Sequence, residues 1–331
     1  MADIKQIKTG DTTYDIWAAK ATADGSGNTI TGTYMTKANP TGTGSLSINR
    51  KANTTIGTNS VAVGNNGTAS GNYSFASGNA TGALGYGSFA TGGSTTASAT
   101  NAFAEGNSTT ASGYAAHAEG YDTSATADYS HAEGESSSAI GDGSHAEGFG
   151  CTASGPYSHA EGFFCEAGID YSHAEGFTCV AYGECSHAEG NECEANGECS
   201  HAEGNGCIVD GEYSHAEGNG CFVDGSASHA EGISTQVTGG SGNHVEGIGC
   251  IAEGRGAHAE GYGAIASGTG VHAQGRYNST TTEPLVIGNG SSHDERQDAF
   301  IVDWGGNVHL GNCNVSLVYD STNRRMVISV N

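Results

Sequence analysis

Between residues 59 and 275 the chain repeats itself every fourteen residues. A His-Ala-Glu-Gly tetrad, or a close variant, places histidines at 117, 131, 145, 159, 173, 187, 201, 215 and 229, then at 244, 258 and 272. The one step of fifteen falls at Gly239-Gly240. Extended backwards, the same phase meets Phe103, Phe89, Phe75 and Val61, which makes sixteen turns; "SLSINRKANTTIG" before them reads as a degraded further turn. A short fixed period of this kind marks a solenoid, in which each unit contacts chiefly its neighbours.

With the histidine as phase zero, position +3 is glycine in every turn and +10 is glycine except at Ala99, Ala127 and Ile169. Two glycines seven apart predict two bends per turn. Position +1 is alanine except at Val245, and +8 is alanine or valine throughout. Such residues suit a tight interior between two short strands. Turns stacked as parallel in-register strands about 4.8 Å apart would give a rod of roughly 75 Å. With 55 glycines and 36% hydrophobic residues, any core is thin and built from small side chains. Three prolines and no every-third glycine exclude collagen.

Side chains alternate across a strand, so phases zero and +2 share one face and −1, +1 and +3 the other. The zero/+2 face points away from the alanine interior and carries His117, Glu119, His131, Glu133, His145, Glu147, His159, Glu161, His173, Glu175, His187, Glu189, His201, Glu203, His215, Glu217, His229, Glu231, His244, Glu246, His258 and Glu260. At its N-terminal end the same face holds Val61, Val63, Phe75, Phe89 and Phe103. A face that starts apolar, on a roll too thin to bury much alone, predicts self-association through it.

The cysteines keep a separate phase: Cys151, Cys165, Cys179, Cys193, Cys207, Cys221 and Cys250 all fall at +6, a slot shared with threonine, serine and alanine. That pattern predicts a size-limited roll interior holding free thiols, since parallel Cβ vectors suit a disulfide poorly. Cys185 and Cys199 fall at −2, in a slot otherwise rich in tyrosine. No Cys-x-x-Cys pair supports a zinc ribbon.

Charge and composition remove several functions. Net charge is −25 and no lysine or arginine occurs between Lys51 and Arg255, which predicts no nucleic-acid partner. The opening "MADIKQIKTGDTTYDIWAAK" has no apolar run, and no later segment approaches a membrane span, so neither export by a cleaved signal nor membrane insertion is expected. Ser186, His187 and Glu189 hold the ingredients of a triad, but alternation sets Ser186 opposite His187. No catalytic residue and no cofactor is expected.

"NSVAVGNNGTASGNYSFASG", residues 59 to 78, resembles the head repeats of trimeric autotransporter adhesins in period, glycine phase and alanine phase. The resemblance covers about residues 59 to 275 and implies a left-handed parallel β-roll, three chains together, with the zero/+2 face on the trimer axis. This chain departs from that family by carrying His and Glu where the relatives carry aliphatics. The opening segment and "PLVIGNGSSHDERQDAFIVDWGGNVHLGN", residues 284 to 312, resemble segments of tail-fibre and other appendage proteins of phages and prophages of Gram-positive bacteria. That implies a virion appendage assembled in the bacterial cytoplasm, with virion or baseplate partners at the N-terminus and a host-surface glycan or protein as receptor. A bacterial surface adhesin or extracellular filament subunit is the alternative.

The fold expected is therefore all-β: a left-handed, trimeric parallel β-roll solenoid of 14-residue turns with small β-rich ends. An attachment hairpin at 1–20 turning at Gly10-Asp11, a linker at 21–58, the shaft at 59–275 and a C-terminal cap or tip at 276–331 divide the chain. Val315, Leu317 and Tyr319 opposite Met326, Ile328 and Val330 predict a hairpin that caps the last turn. On a threefold axis each layer would hold three imidazoles and three carboxylates, paired as a His-Glu ladder. Metal or anion at a few layers is the rival arrangement, because dications 4.8 Å apart repel by ~3 kcal/mol even in water. Pairing with carboxylates predicts histidine pKa values above the ordinary one. Exposed tyrosines and Trp304 are the candidates for a sugar surface.

Overall fold

The computed structural model describes residues 6–9, 12–15, 33–35, 46–51, 54–311 and 315–330. The repeat folds as a parallel β-solenoid of about sixteen turns, and among the described residues there is no helix. Most turns contribute a five-residue strand starting at phase zero, such as His187–Asn191, and a two-residue strand at +7 and +8, such as Glu194–Ala195; the first turn is one strand, Val61–Ala69, and the strand at His131–Ala132 is shorter. The long strands form one ladder and the short ones a second. Both are parallel and in register, so His187 pairs with His201, Glu189 with Glu203 and Ala195 with Val209.

Four phases face the interior. Ser186 at −1, Ala188 at +1, Cys193 at +6 and Ala195 at +8 are all at most 1% exposed, and their equivalents along the rod are similarly buried. The largest fully buried side chains are valines, threonines and a single asparagine. Nothing bulkier fits between two strands joined by bends of two and five residues. Serine hydroxyls at −1 close the bend: Ser186 Oγ donates to the Gly183 carbonyl at 2.7 Å.

The bends are sharper than the glycines alone foretell. At +5 and −2 the backbone is left-handed whatever residue stands there: φ is 54° at Glu192, 52° at Phe164, 57° at Tyr157 and 56° at Cys185. The amide of each such residue donates to a carbonyl of the preceding turn, as in Glu192 to Phe177 O and Cys199 to Glu184 O, both 2.8 Å. The stack imposes the conformation and offsets its cost of about 1 kcal/mol per residue. Glycine at +3 answers a second constraint, close approach between turns. A Cβ on Gly190, where φ is +113°, would stand 2.2 Å from the Gly204 carbonyl oxygen.

The stack extends beyond the repeat at both ends. Leu46–Arg50 pairs in parallel with Val61–Ala69, Leu46 beside Val61, so the degraded turn joins the ladder. Thr33–Met35 adds an antiparallel strand to it, and Gln6–Thr9 pairs antiparallel with Thr12–Asp15. The turn expected at Gly10-Asp11 and most of the expected linker lie outside the described residues.

At the far end the cap differs from expectation. Val315–Asp320 and Arg325–Val330 do pair as foreseen, Val315 beside Val330 and Tyr319 beside Met326. That hairpin, however, is the outer edge of a meander. The last turn is covered by Leu285–Asn289, which continues the parallel ladder on His272–Arg276 before the chain turns antiparallel. Asn278 ends the short-strand ladder by proxy: its carboxamide accepts from Ile265 N and donates to Ile265 O, both at 2.8 Å, where another strand's backbone would otherwise stand. Asp298, 8% exposed, accepts from the amides of Ser279 and Thr280 and from Ser279 Oγ.

Candidate functional site

The zero/+2 face is one continuous stripe, outward as alternation predicts. Val61, Val63, Phe75, Phe89 and Phe103 begin it, all part-exposed. Phe75, Phe89 and Phe103 stack at 4.8 Å, and the edge of His117 meets Phe103 at 4.7 Å. From His117 to His272 twelve imidazoles follow in one column with ring centroids 4.4 to 5.2 Å apart, the stack spacing set by the ladder beneath. All but one adjacent pair lie within 7° of parallel; His215 and His229 are tilted by 31°.

Each Nε2 in this column is buried against its neighbours and has no hydrogen-bond partner within the chain. At eight histidines the glutamate two residues on comes near without making the bond: His187 Nε2 to Glu189 Oε2 is 3.7 Å, and the other seven pairs span 3.5 to 3.9 Å. A bond of this type needs about 2.7 to 3.2 Å. The column thus holds twelve polar atoms that are covered within this face and unsatisfied by their own chain.

Within the single chain the electrostatics run opposite to the direction expected for histidines paired with carboxylates in an assembled ladder. His117, His131, His145, His173, His187, His215 and His258 are held below the ordinary histidine value. Desolvation is the first cause and the adjacent imidazole the second; the nearby carboxylate pulls the other way and loses. Sequence reasoning counted the glutamates and left out the imidazole stacked directly above and below. Among the carboxylates, hydrogen bonding with Glu147 and Glu119 pushes Glu133 up to about 7, while Glu119 and Glu147 are drawn down by the same sharing.

Cys151, Cys165, Cys179, Cys193, Cys207, Cys221 and Cys250 line the roll interior as free thiols, and Cys185 and Cys199 are exposed at the −2 bend. Burial pushes the Cys250 thiol up. In the native protein with Cys313, which lies outside the described residues, replaced by serine, a thiol reagent should label two cysteines promptly. The other seven should react at least about a thousandfold more slowly, through opening of the stack. A third fast equivalent would show that the interior is not sealed.

Ser186, His187 and Glu189 are not brought together, since the serine hydroxyl is turned into the roll. A different trio, missed in the sequence, is assembled in the C-terminal meander. His309 bridges Asp303 Oδ2 at 2.9 Å and Ser316 Oγ at 3.0 Å. His309 and Asn307 together hold the Asp303 carboxyl well below the usual carboxylate range. Ser316 is 6% exposed and sits directly across the strand pair from His309, so the trio braces two strands. The chain matches no protein-family model and no curated protein. Its function is therefore argued from this geometry.

The exposed aromatics lie on bends and edges. Tyr157 and Tyr171 stack at 5.5 Å and are 63% and 56% exposed, and Trp304 is 63% exposed with its indole N–H donating to Thr282 O. Phe149, Phe163 and Phe177 form a further exposed column at +4, beside the glutamates, which the sequence pattern had not singled out.

Proposed function

We propose that this chain is a structural fibre subunit. Three copies pack their zero/+2 faces about a common axis, as a left-handed roll resembling the adhesin head repeats. The observation that carries the reading is the column of twelve buried, unpartnered Nε2 atoms continuous with stacked phenylalanines. A neighbouring copy supplies what the single chain lacks: its carboxylates accept from Nε2–H along the histidine stretch, and its Phe75, Phe89 and Phe103 cover their equivalents. Copies related by a closed rotation present identical ladders at one height, so the in-register 4.8 Å spacing needs no adjustment. The count of three comes from the resemblance.

The fibre would serve as a spacer and host-attachment appendage of a phage or prophage-derived particle, its N-terminal hairpin at the particle and its C-terminal meander outermost. The resemblance of the terminal segments to appendage proteins supports the particle. The absence of lysine and arginine between Lys51 and Arg255 argues against a nucleic-acid role. No catalytic role is assigned to any residue.

Native mass spectrometry tests the assembly: the expected mass is three times 33.2 kDa. Replacing Phe75, Phe89 and Phe103 by serine should weaken it by at least tenfold in concentration. A stable monomer at micromolar concentration would sink the reading.

A further inference from the structure

We propose that the tilted step of the column, His215, Glu217 and His229, is a binding site for a borderline divalent transition metal such as zinc or cobalt. The ligand set comes from one chain, and at this step the metal takes the place of the interchain hydrogen bonds proposed for His215 and His229. One imidazole nitrogen from each histidine and one carboxylate oxygen of Glu217 lie within 4.8 Å of one another, as the equivalent atoms do at several parallel steps, His187, Glu189 and His201 among them. Two imidazoles and a carboxylate are a ligand set that zinc favours, with bonds of about 2.0 to 2.2 Å and a fourth position left for water or a neighbour.

Geometry selects this step over the rest of the column. Two nitrogens bound to one ion at tetrahedral angles are about 3.4 Å apart, and no more than about 4.2 Å apart at any angle. Stacked parallel imidazoles hold equivalent atoms as far apart as their rings, which is 4.4 to 5.2 Å at the parallel steps, so what sets His215 and His229 apart is their tilt and not their 4.9 Å centroid spacing. A parallel pair therefore cannot share an ion without breaking the stack. At His215 and His229 the rings are already 31° from parallel, so their nitrogens are free to converge by rotation. The cause lies one turn further on, where the fifteen-residue turn containing Gly239 and Gly240 separates His229 from His244 by 5.2 Å. His229 thus has a looser neighbour above it than any other ring in the column. Glu217, with its side chain 41% exposed and 3.9 Å from His215 Nε2, has room to close the remaining few tenths of an ångström. Like-charge repulsion argues the same way, since ions on adjacent steps would oppose each other. Glu203 and Glu231, on the flanking turns of the same face, add negative potential around the site.

The test uses the full chain, stripped with chelator and dialysed at pH 7.5, titrated with zinc and separately with cobalt. One zinc per chain should bind well ahead of any other. Substitution H229Q should weaken that site by at least a hundredfold and E217Q by at least tenfold, whereas H187Q, in a parallel part of the column, should leave it unchanged. Circular dichroism checks that each variant keeps its β-signal; should H229Q lose it, the contrast between E217Q and H187Q carries the test. Bound cobalt should show visible bands of a tetrahedral nitrogen and oxygen site without sulfur charge transfer. The proposal is overturned by equal binding to many steps, by an H187Q loss as large as that of E217Q, by a thiolate band pointing to Cys185 and Cys199, or by no binding above the millimolar range.

Discussion

Gly190→Ala is expected to break the shaft in two, whereas Gly206→Ala leaves it standing. Both glycines have positive φ, +113° and +61°, and local conformation alone would rank them as similar risks. Their surroundings differ. A Cβ at Gly190 would meet the Gly204 carbonyl oxygen at 2.2 Å, its carbon at 3.0 Å and its nitrogen at 3.1 Å, all backbone atoms fixed by the ladder. Relief requires the two turns to separate, which costs the hydrogen bonds of a whole layer. At Gly206 nothing lies within 4 Å, and the same phase is occupied by Glu192 and Phe164 with φ of 54° and 52°. The expected losses are about 3 kcal/mol or more for Gly190→Ala and about 1 kcal/mol for Gly206→Ala. In a nearest-neighbour stack the first should also open a protease-sensitive point at the middle of the rod. Thermal melts and limited proteolysis of the pair decide it: equal melting temperatures would mean that turn-to-turn contact is not what demands glycine at +3.

Acid should destabilise the metal-free chain. Seven histidines of the column are held below their ordinary value, first by desolvation and then by the neighbouring ring. Their unfolded counterparts take up protons near pH 6.5, while the folded ones resist until lower pH. The stability they contribute is therefore complete above about pH 6.5 and is lost as pH falls below it. Glu133, pushed up to about 7, and Glu161, also raised, oppose this, because their contribution is present in acid and lost as pH rises through the folded value. With seven imidazoles set against two carboxyls, the expected net effect is a loss of stability in acid. Melting curves in chelator at pH 8 and pH 5 should show a fall of several degrees toward acid. A melting temperature that is flat or rises on acidification would mean that the folded column carries imidazolium.

The faces of the shaft were legible because alternation is a strong constraint in a strand only two to five residues long. His187 outward and Cys193 inward follow from counting, and in-register pairing follows from a period that slips only once. The left-handed slots at +5 and −2 were not legible. Glutamate, phenylalanine, tyrosine and cysteine all occupy them, so residue type carries no signal and the stack sets the angle. The lowering of the histidines within the single chain has a related reason: after desolvation, the neighbour that lowers His187 is His201, fourteen residues away in sequence and one layer away in space. The trio of Asp303, His309 and Ser316 depends on how the meander folds back. The final hairpin has clear alternation and draws the cap to itself, whereas Leu285–Asn289 continues the solenoid after a step of only thirteen residues from His272 to Leu285.

The in-register stack also makes the molecule a ruler with discrete marks. Removing or duplicating fourteen residues anywhere between Val61 and His229 joins equivalent positions: every histidine still meets a histidine or a phenylalanine, and the rod changes by one step of about 4.8 Å. A number of residues that is not a multiple of fourteen shifts a Cβ onto the opposite face or a side chain onto a glycine slot. Reach is thus counted in whole layers, and a gene built from near-identical units can alter that count by recombination without redesigning a single contact.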